Sequence, residues 1–278
     1  MEKFKIVADS SADTFEINSV PFAYAPLKII TAQKEFTDNC DLDVKEMVEF
    51  LGSYKGKSST SCPNPEDWLC AFGDTENIFC VTITATLSGS FNAAITAKEL
   101  YLEAHPERNV FVINSLSAGP ELRLIIEKLQ ELIYDDLQYA EICEKITEYM
   151  NSTGLLFMLK SMKNLANNGR VSPIVAKAAG LLGIRVVGKA SDVGDLEQLK
   201  KCKGEEKALR YMADTIKNFG CKNGKIRIAH CFNNSAALKL KEKLKAEIPN
   251  ADIAIYNLKG LCSFYAENGG LLIGFEKF

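Results

Sequence analysis

The feature that most constrains this chain is a repeated break from a buried strand into a polar corner and then a helix. "NIFCVTITATLSGSFNAA" does this around Ser88, and "NVFVINSLSAGPE" does it again around Ser115, before a helix with Leu122, Ile125, Ile126, Leu129 and Ile133 on one stripe. "FKIVADSSAD" opens the chain as a strand ending in a polar turn at Asp9, Ser10 and Ser11. Strand–loop–helix units in series predict a parallel sheet covered on both faces. Between them, "PLKIITAQKEFTD" reads as a strand or hairpin, "DVKEMVEFLGSY" as a helix stopping at Gly52, and "STSCPNPEDWLCAF" as a loop entering a helix. Asn64 caps that last helix, Pro65 suits its first turn, and Glu66 and Asp67 favour its positive end.

After a helix near Glu141–Tyr149 the cadence changes. "GLLFMLK" is a strand, "SMKNLANNGRVS" a polar loop, and "SPIVAKAAGLLG" a helix capped by Ser172 with Pro173 in its first turn. "IRVVGKASDVGDLEQLKK" reads as a hairpin turning near Asp192–Asp195. "KIRIAHC" and "ADIAIYNL" alternate with helices, and "GGLLIGFEKF" is a final strand. Hairpin strands mixed with βα units predict a mixed sheet. The expected fold class is therefore α/β with two domains, residues 1–150 around a mainly parallel sheet flanked by helices and 151–278 around a mixed one.

Composition removes several functions. Lys plus Arg is 33 against 36 Asp plus Glu, so no basic face for nucleic acid is expected, and the stretch Lys200–Lys203 is too short to supply one. "AKAAGLLGIRVVG", the most apolar stretch, is interrupted by Lys177 and Arg185, so no membrane span is expected. The N-terminus enters a strand directly, without a secretory signal, and none of the nine cysteines forms a C-x-x-C pair. Reduced thiols and a cytoplasmic location follow as expectations.

The corner at Ser88 has two readings. Ser88 caps the following helix, or the helix amides and the surrounding Thr82, Thr84, Thr86 and Ser90, with Gly89, form an anion seat. Ser10, Ser61, Ser88 and Ser115 all fall at strand ends or in loops entering helices, where an open parallel sheet gathers its ligands. No G-x-G-x-x-G, P-loop or G-x-S-x-G motif is present. His105 reads as exposed and His230 as structural, so Ser88 has no base nearby in sequence. Arg170, after the Asn168-Gly169 turn, either ties down its loop or faces an anion at a cleft. The acidic residues show no metal-site spacing.

Taken together, these segments resemble the DegV family of fatty-acid-binding proteins over essentially the whole chain. "VADSSAD" resembles the family's opening Asp-Ser turn. "STSCPNPEDW" is similar to its Thr-Ser-Gln-Pro-Ser loop, with Cys62 and Asn64 as departures. "LSGSFNAA" is similar to its Leu-Ser-Gly-Thr-Tyr-x-Ala-Ala corner, and "VINSLSAG" to its Val-Ile-Asp-Ser segment. "NNGRVS" and "GLLGIRVV" resemble its Gly-Gly-Arg-Ile-Ser turn and the strand that follows.

The resemblance implies a long-chain fatty acid in a tunnel near the domain junction, as ligand rather than cofactor, with no metal. Its carboxylate would meet Thr60, Ser61 and Ser88 with Gly89, and more weakly Ser115 and Arg170. It also implies a non-enzymatic carrier whose partner is a fatty acid kinase that makes an acyl phosphate for lipid metabolism. The family's C-terminal His-x-Gly-Pro-Gly is "AENGG" here, placing Ala266 where the His would be and leaving Tyr265 or Glu267 as substitutes.

A sixteen-carbon tail buries about fourteen methylenes at ~0.8 kcal/mol each, on the order of 11 kcal/mol gross. The tail therefore sets affinity, and neutral donors at the carboxylate set orientation. The rival expectation is an enzyme acting on a small carboxylated or phosphorylated metabolite at the same sheet edge. A third is a regulatory protein whose lipid-loaded surface signals to a partner.

Overall fold

The computed structural model describes residues 2–174, 176 and 182–278. Strands β1 (Glu2–Asp9), β2 (Phe22–Ala25), β6 (Thr75–Thr82) and β7 (Asn109–Asn114) form one sheet in the order β2-β1-β6-β7, with every pair parallel. Successive side chains of these strands serve two cores. Val7, Ile78 and Cys80 pack under α2 (Pro65–Phe72) and α3 (Ser90–Ala104). Ile6, Ala8, Phe79 and Val81 pack under α4 (Pro120–Tyr134) and α5 (Tyr139–Met150). The expected two-sided parallel sheet is present. Asn64 and Asp67 form a reciprocal capping box at α2, Asn64 Oδ1 accepting from the Asp67 amide at 3.0 Å and Asp67 Oδ2 from the Asn64 amide at 2.8 Å.

β3 (Lys28–Thr31), β4 (Glu35–Thr37) and β5 (Ser58–Ser61) form a small antiparallel sheet, ordered β4-β3-β5, with α1 (Val44–Ser53) beside it. This corrects the reading of Ser59–Ser61 as loop. Thr60 and Ser61 sit on a strand, with Thr60 opposite Ile29. β2, flanked by Pro21 and Pro26, was also not foreseen; as a four-residue edge strand it carries too short a pattern to read.

The third sheet is mixed, in the order β10-β9-β8-β13-β11-β12. Its strands are β8 (Thr153–Leu159), β9 (Ile184–Ala190), β10 (Leu196–Lys203), β11 (Lys225–His230), β12 (Asp252–Asn257) and β13 (Leu271–Glu276). Only β11 and β12 pair in parallel. β9 and β10 form the expected hairpin. The basic stretch Lys200–Lys203 lies on β10, an edge strand, where exposed lysines oppose pairing with another chain.

One face of this sheet carries α7 (Glu205–Asn218) and α8 (Asn234–Glu247) over Leu156, Ile226, Ile228 and Ile273. The other carries α9 (Gly260–Ala266) over Phe157, Ala229 and Leu272. The "SMKNLANNGRVS" loop contains a short helix, α6 (Lys163–Asn167). The helix expected after Ser172 lies largely outside the described residues.

α4 joins the two main sheets. Its start presses on β13, where a Cβ at Gly274 would come within 2.6 Å of the Pro120 backbone, so only glycine fits there. Glu121 accepts from Thr153 Oγ1 at 2.7 Å, and Glu127 takes the Arg227 guanidinium at 2.7–3.0 Å. Leu122, Ile126 and Leu129 of the same helix fill the core under β1 and β6.

Candidate functional site

A cavity, part of it open to solvent, lies between the parallel sheet and the α9 face of the mixed sheet. Leu27, Ile83, Leu87 and Ala118 line one side; Phe157, Leu159, Leu165, Leu196, Leu261 and Leu272 are among the residues lining the other. Four polar side chains reach it: Thr60, Ser88, Arg170 and Tyr265. Tyr265 and Thr60 share a hydrogen bond of 2.8 Å between their hydroxyls. Arg170 Nε donates to the Leu87 carbonyl at 2.6 Å and Nη1 to the Asn168 carbonyl at 2.7 Å. Arg170 thus ties down its loop and is also among the residues lining the cavity. A guanidinium carries its charge with five donors. Burial pushes the Tyr265 phenol up, opposed by the Thr60 bond and the Arg170 charge.

The hydroxyls crowding the corner divide by role. Thr82 Oγ1 donates to Ile113 O at 3.0 Å, Thr86 Oγ1 to Gly194 O at 2.8 Å, and Ser90 Oγ to Asp9 Oδ2 at 2.7 Å. Thr84 bonds to Thr86 at 3.1 Å. These four are spent on holding the fold. Gly89, not Ser88, occupies the cap position of α3; Ser88 Oγ accepts from the Ser90 amide at 3.2 Å, so its own proton remains to be donated.

Thr60, Ser88 and Arg170 thus come together at the cavity, whereas Ser61, Gly89 and Ser115 are not among its lining. Ser115 closes its own loop onto Ser117, and a Cβ on Gly89 would meet Cys62 Sγ at 3.1 Å. Ser10 is fully buried and accepts from the Leu27 amide at 3.0 Å. Glu267 turns away to accept from the Asn164 amide at 3.1 Å, and Ala266 lines the cavity. His105 is half-buried against the Tyr101 ring at 5.1 Å between centroids, which corrects its reading as exposed. His230 lines a different pocket.

The wall bearing Tyr265 is set from a distance. Asp38 Oδ1 and Oδ2 accept from the Gly260 and Leu261 amides at 2.7 and 2.9 Å, and Asp13 Oδ1 accepts from the Lys259 amide at 2.8 Å. Both carboxyls are fully buried, and burial pushes Asp38 up to about 6 and Asp13 up to about 8. Burial also raises Asp9, which accepts from the Ile83 amide and the Ser90 hydroxyl. Sequence spacing carries no sign of this cluster, because its members meet only through tertiary packing.

Residues 3–277 match the profile described as "Uncharacterised protein, DegV family". The chain belongs to the DegV family. A DegV domain-containing protein of Streptococcus pneumoniae is 45% identical over 278 residues, covering 98% of this chain and 99% of the relative. Two solved DegV-like structures superpose with a TM-score of 0.97 at 43% identity, each covering 99% of this chain and 100% of the other. One is a DegV family protein from Eubacterium eligens loaded with heptadecanoic acid. The other is the Streptococcus pneumoniae Fatty Acid Kinase (Fak) B3 protein loaded with linoleic acid. Among the described residues of this DegV protein, no helix is long and apolar enough to cross a membrane, and no cluster of His, Cys, Asp or Glu is arranged to hold a metal.

Proposed function

We propose that this DegV protein binds one long-chain fatty acid in the cavity between its sheets and presents the carboxylate to a fatty acid kinase partner. The carrying observation is the cavity itself: apolar walls around four donors, Thr60, Ser88, Tyr265 and Arg170, with Thr60 and Tyr265 joined by a hydrogen bond. The alkyl tail gains its burial from the walls. The hydroxyls and the guanidinium replace the hydration that the carboxylate loses. Tyr265, one residue before Ala266, takes the place of the imidazole that the family resemblance leads one to expect. Residues 1–150 supply Thr60 and Ser88, and residues 151–278 supply Arg170 and Tyr265, so the head group is held across the two proposed domains.

The loaded relatives at 43% identity support this ligand class, and the Fak B3 relative supports the kinase partner. A carrier role, rather than catalysis, is favoured because the described lining contains no Asp, Glu or His to serve Ser88 as a base. The nine free cysteines accord with a reducing cytoplasm.

The test is to denature the purified protein and identify released lipids by mass spectrometry, alongside melting with added palmitate, oleate and linoleate. An equimolar acyl chain, or a ligand-dependent rise in melting temperature, is expected. Absence of both would discard the reading.

A further inference from the structure

A second pocket lies on the side of α9 away from Tyr265, where β11 and β12 end. The two strands are parallel and in register, with His230 opposite Asn257. Beyond them the chain diverges. It leaves β11 into α8 on one face of the sheet, and leaves β12 into α9 on the other before returning as β13 across β11. Such a reversal opens a crevice at the carboxyl ends of parallel strands.

The crevice is lined by Lys45, His230, Phe232, Asn257, Lys259 and Ser263, with no acidic residue in its lining. His230 is only 6% exposed, and its Nδ1 has no hydrogen-bond partner, although the ring is hydrogen-bonded to the Asn234 side chain. A buried polar atom without a partner is costly, and this ring is among the residues that line the crevice. Lys45 stands in the first turn of α1, 3.9 Å from Glu49. The Lys259 ammonium rests over the Phe15 ring at 5.4 Å, free of any ion pair with a described residue. Burial lowers the His230 pKa, keeping the ring a neutral donor–acceptor.

We propose that this crevice is a second binding site, for a small phosphate-like oxyanion held by His230, Lys45 and Lys259. Uncharged His230 supplies a directed hydrogen bond, and the two lysines supply charge, one from each half of the chain. The site is separate from the lipid cavity and does not depend on the lipid reading.

The chain has two histidines, so imidazole proton–carbon NMR resolves the question in the intact protein, with His105 as internal control. Inorganic phosphate is titrated against sodium chloride at constant ionic strength, and His105→Gln assigns the signals. A saturable shift of His230 alone is expected. Lys45→Gln and Lys259→Gln should each weaken that binding about tenfold while leaving the unliganded spectrum unchanged. Phosphate that moves neither ring or both alike, or lysine variants that bind as tightly as the parent, would overturn the site. A parallel titration with glycerol phosphate separates the sources: competition with phosphate identifies a phosphoryl group carried on a larger molecule, and exclusion identifies the free ion.

Discussion

Asp38 closes both of the first two amides of α9, Gly260 N on Oδ1 at 2.7 Å and Leu261 N on Oδ2 at 2.9 Å, across 222 and 223 residues of sequence. The helix that carries Tyr265 into the cavity is thus fastened by a carboxylate from the far end of the chain. Replacing Asp38 by Ala strands two buried donors. We expect a loss of about 2–4 kcal/mol in urea unfolding, with weaker fatty-acid binding because Tyr265 loses its support. Unchanged stability would show that the amides find other partners.

The same carboxyls set a pH response. A carboxyl raised in the folded state holds its proton more tightly there than in the unfolded chain, so its contribution is complete below the ordinary pKa of 3.8. It is lost as pH rises through about 6 for Asp38 and about 8 for Asp13. Stability should therefore decline between about pH 4 and pH 8, by at most about 1.4 kcal/mol per pH unit for each carboxyl. Asp13→Asn should flatten the upper part of that decline while keeping an acceptor for the Lys259 amide. Thermal melts across this range read the slope directly.

Tyr265→Phe keeps the ring and removes the hydroxyl that meets Thr60. Fatty-acid affinity should fall about ten- to a hundredfold, in line with one hydrogen bond to a charged group at ~1.5–3 kcal/mol. Thr60→Ala added to it should cost less than the sum of the two, because the hydroxyls act as a pair. Titration calorimetry on delipidated protein measures both. Full additivity would mean that they act independently.

Ala118→Leu adds bulk to a cavity wall without adding polarity. Long acyl chains should be displaced first, so extracted lipids should shift toward shorter acids or disappear while the protein remains folded. An unaltered lipid profile would place the chain elsewhere.

Gly194 sits at φ +88°, and a Cβ there would fall 2.1 Å from Thr84 Oγ1. Gly194→Val should detach the β9–β10 turn from the Thr84–Thr86 corner, costing about 2 kcal/mol or more. Thr86→Val, which removes the 2.8 Å bond to Gly194 O and the 3.1 Å bond to Thr84, should cost about 1–2 kcal/mol. Hydrogen exchange in residues 184–203 should rise in both variants, more steeply in the first.

Legibility in the sequence followed the range of the interactions. The parallel sheet could be read because the continuous apolar run in "NIFCVTI" and the caps around Asn64 are local. α9 could not, since the helix "GLCSFYA" begins with a glycine and its capping group is Asp38. At the cavity, Thr60, Ser88 and Arg170 were reachable from turn chemistry and family likeness. Ser115 and Ser61 were named on the same grounds, yet local bonding or strand placement keeps them out of the lining. A hydroxyl at a strand end is a common device, and only packing decides whether it faces a ligand or a carbonyl.

α4 puts Leu122, Ile126 and Leu129 under the parallel sheet while Glu121 and Glu127 grip the mixed one. Neither layer can melt without stripping the shared helix from the other. The molecule should accordingly lose its structure in one cooperative event, with no half-folded species that keeps a lobe intact.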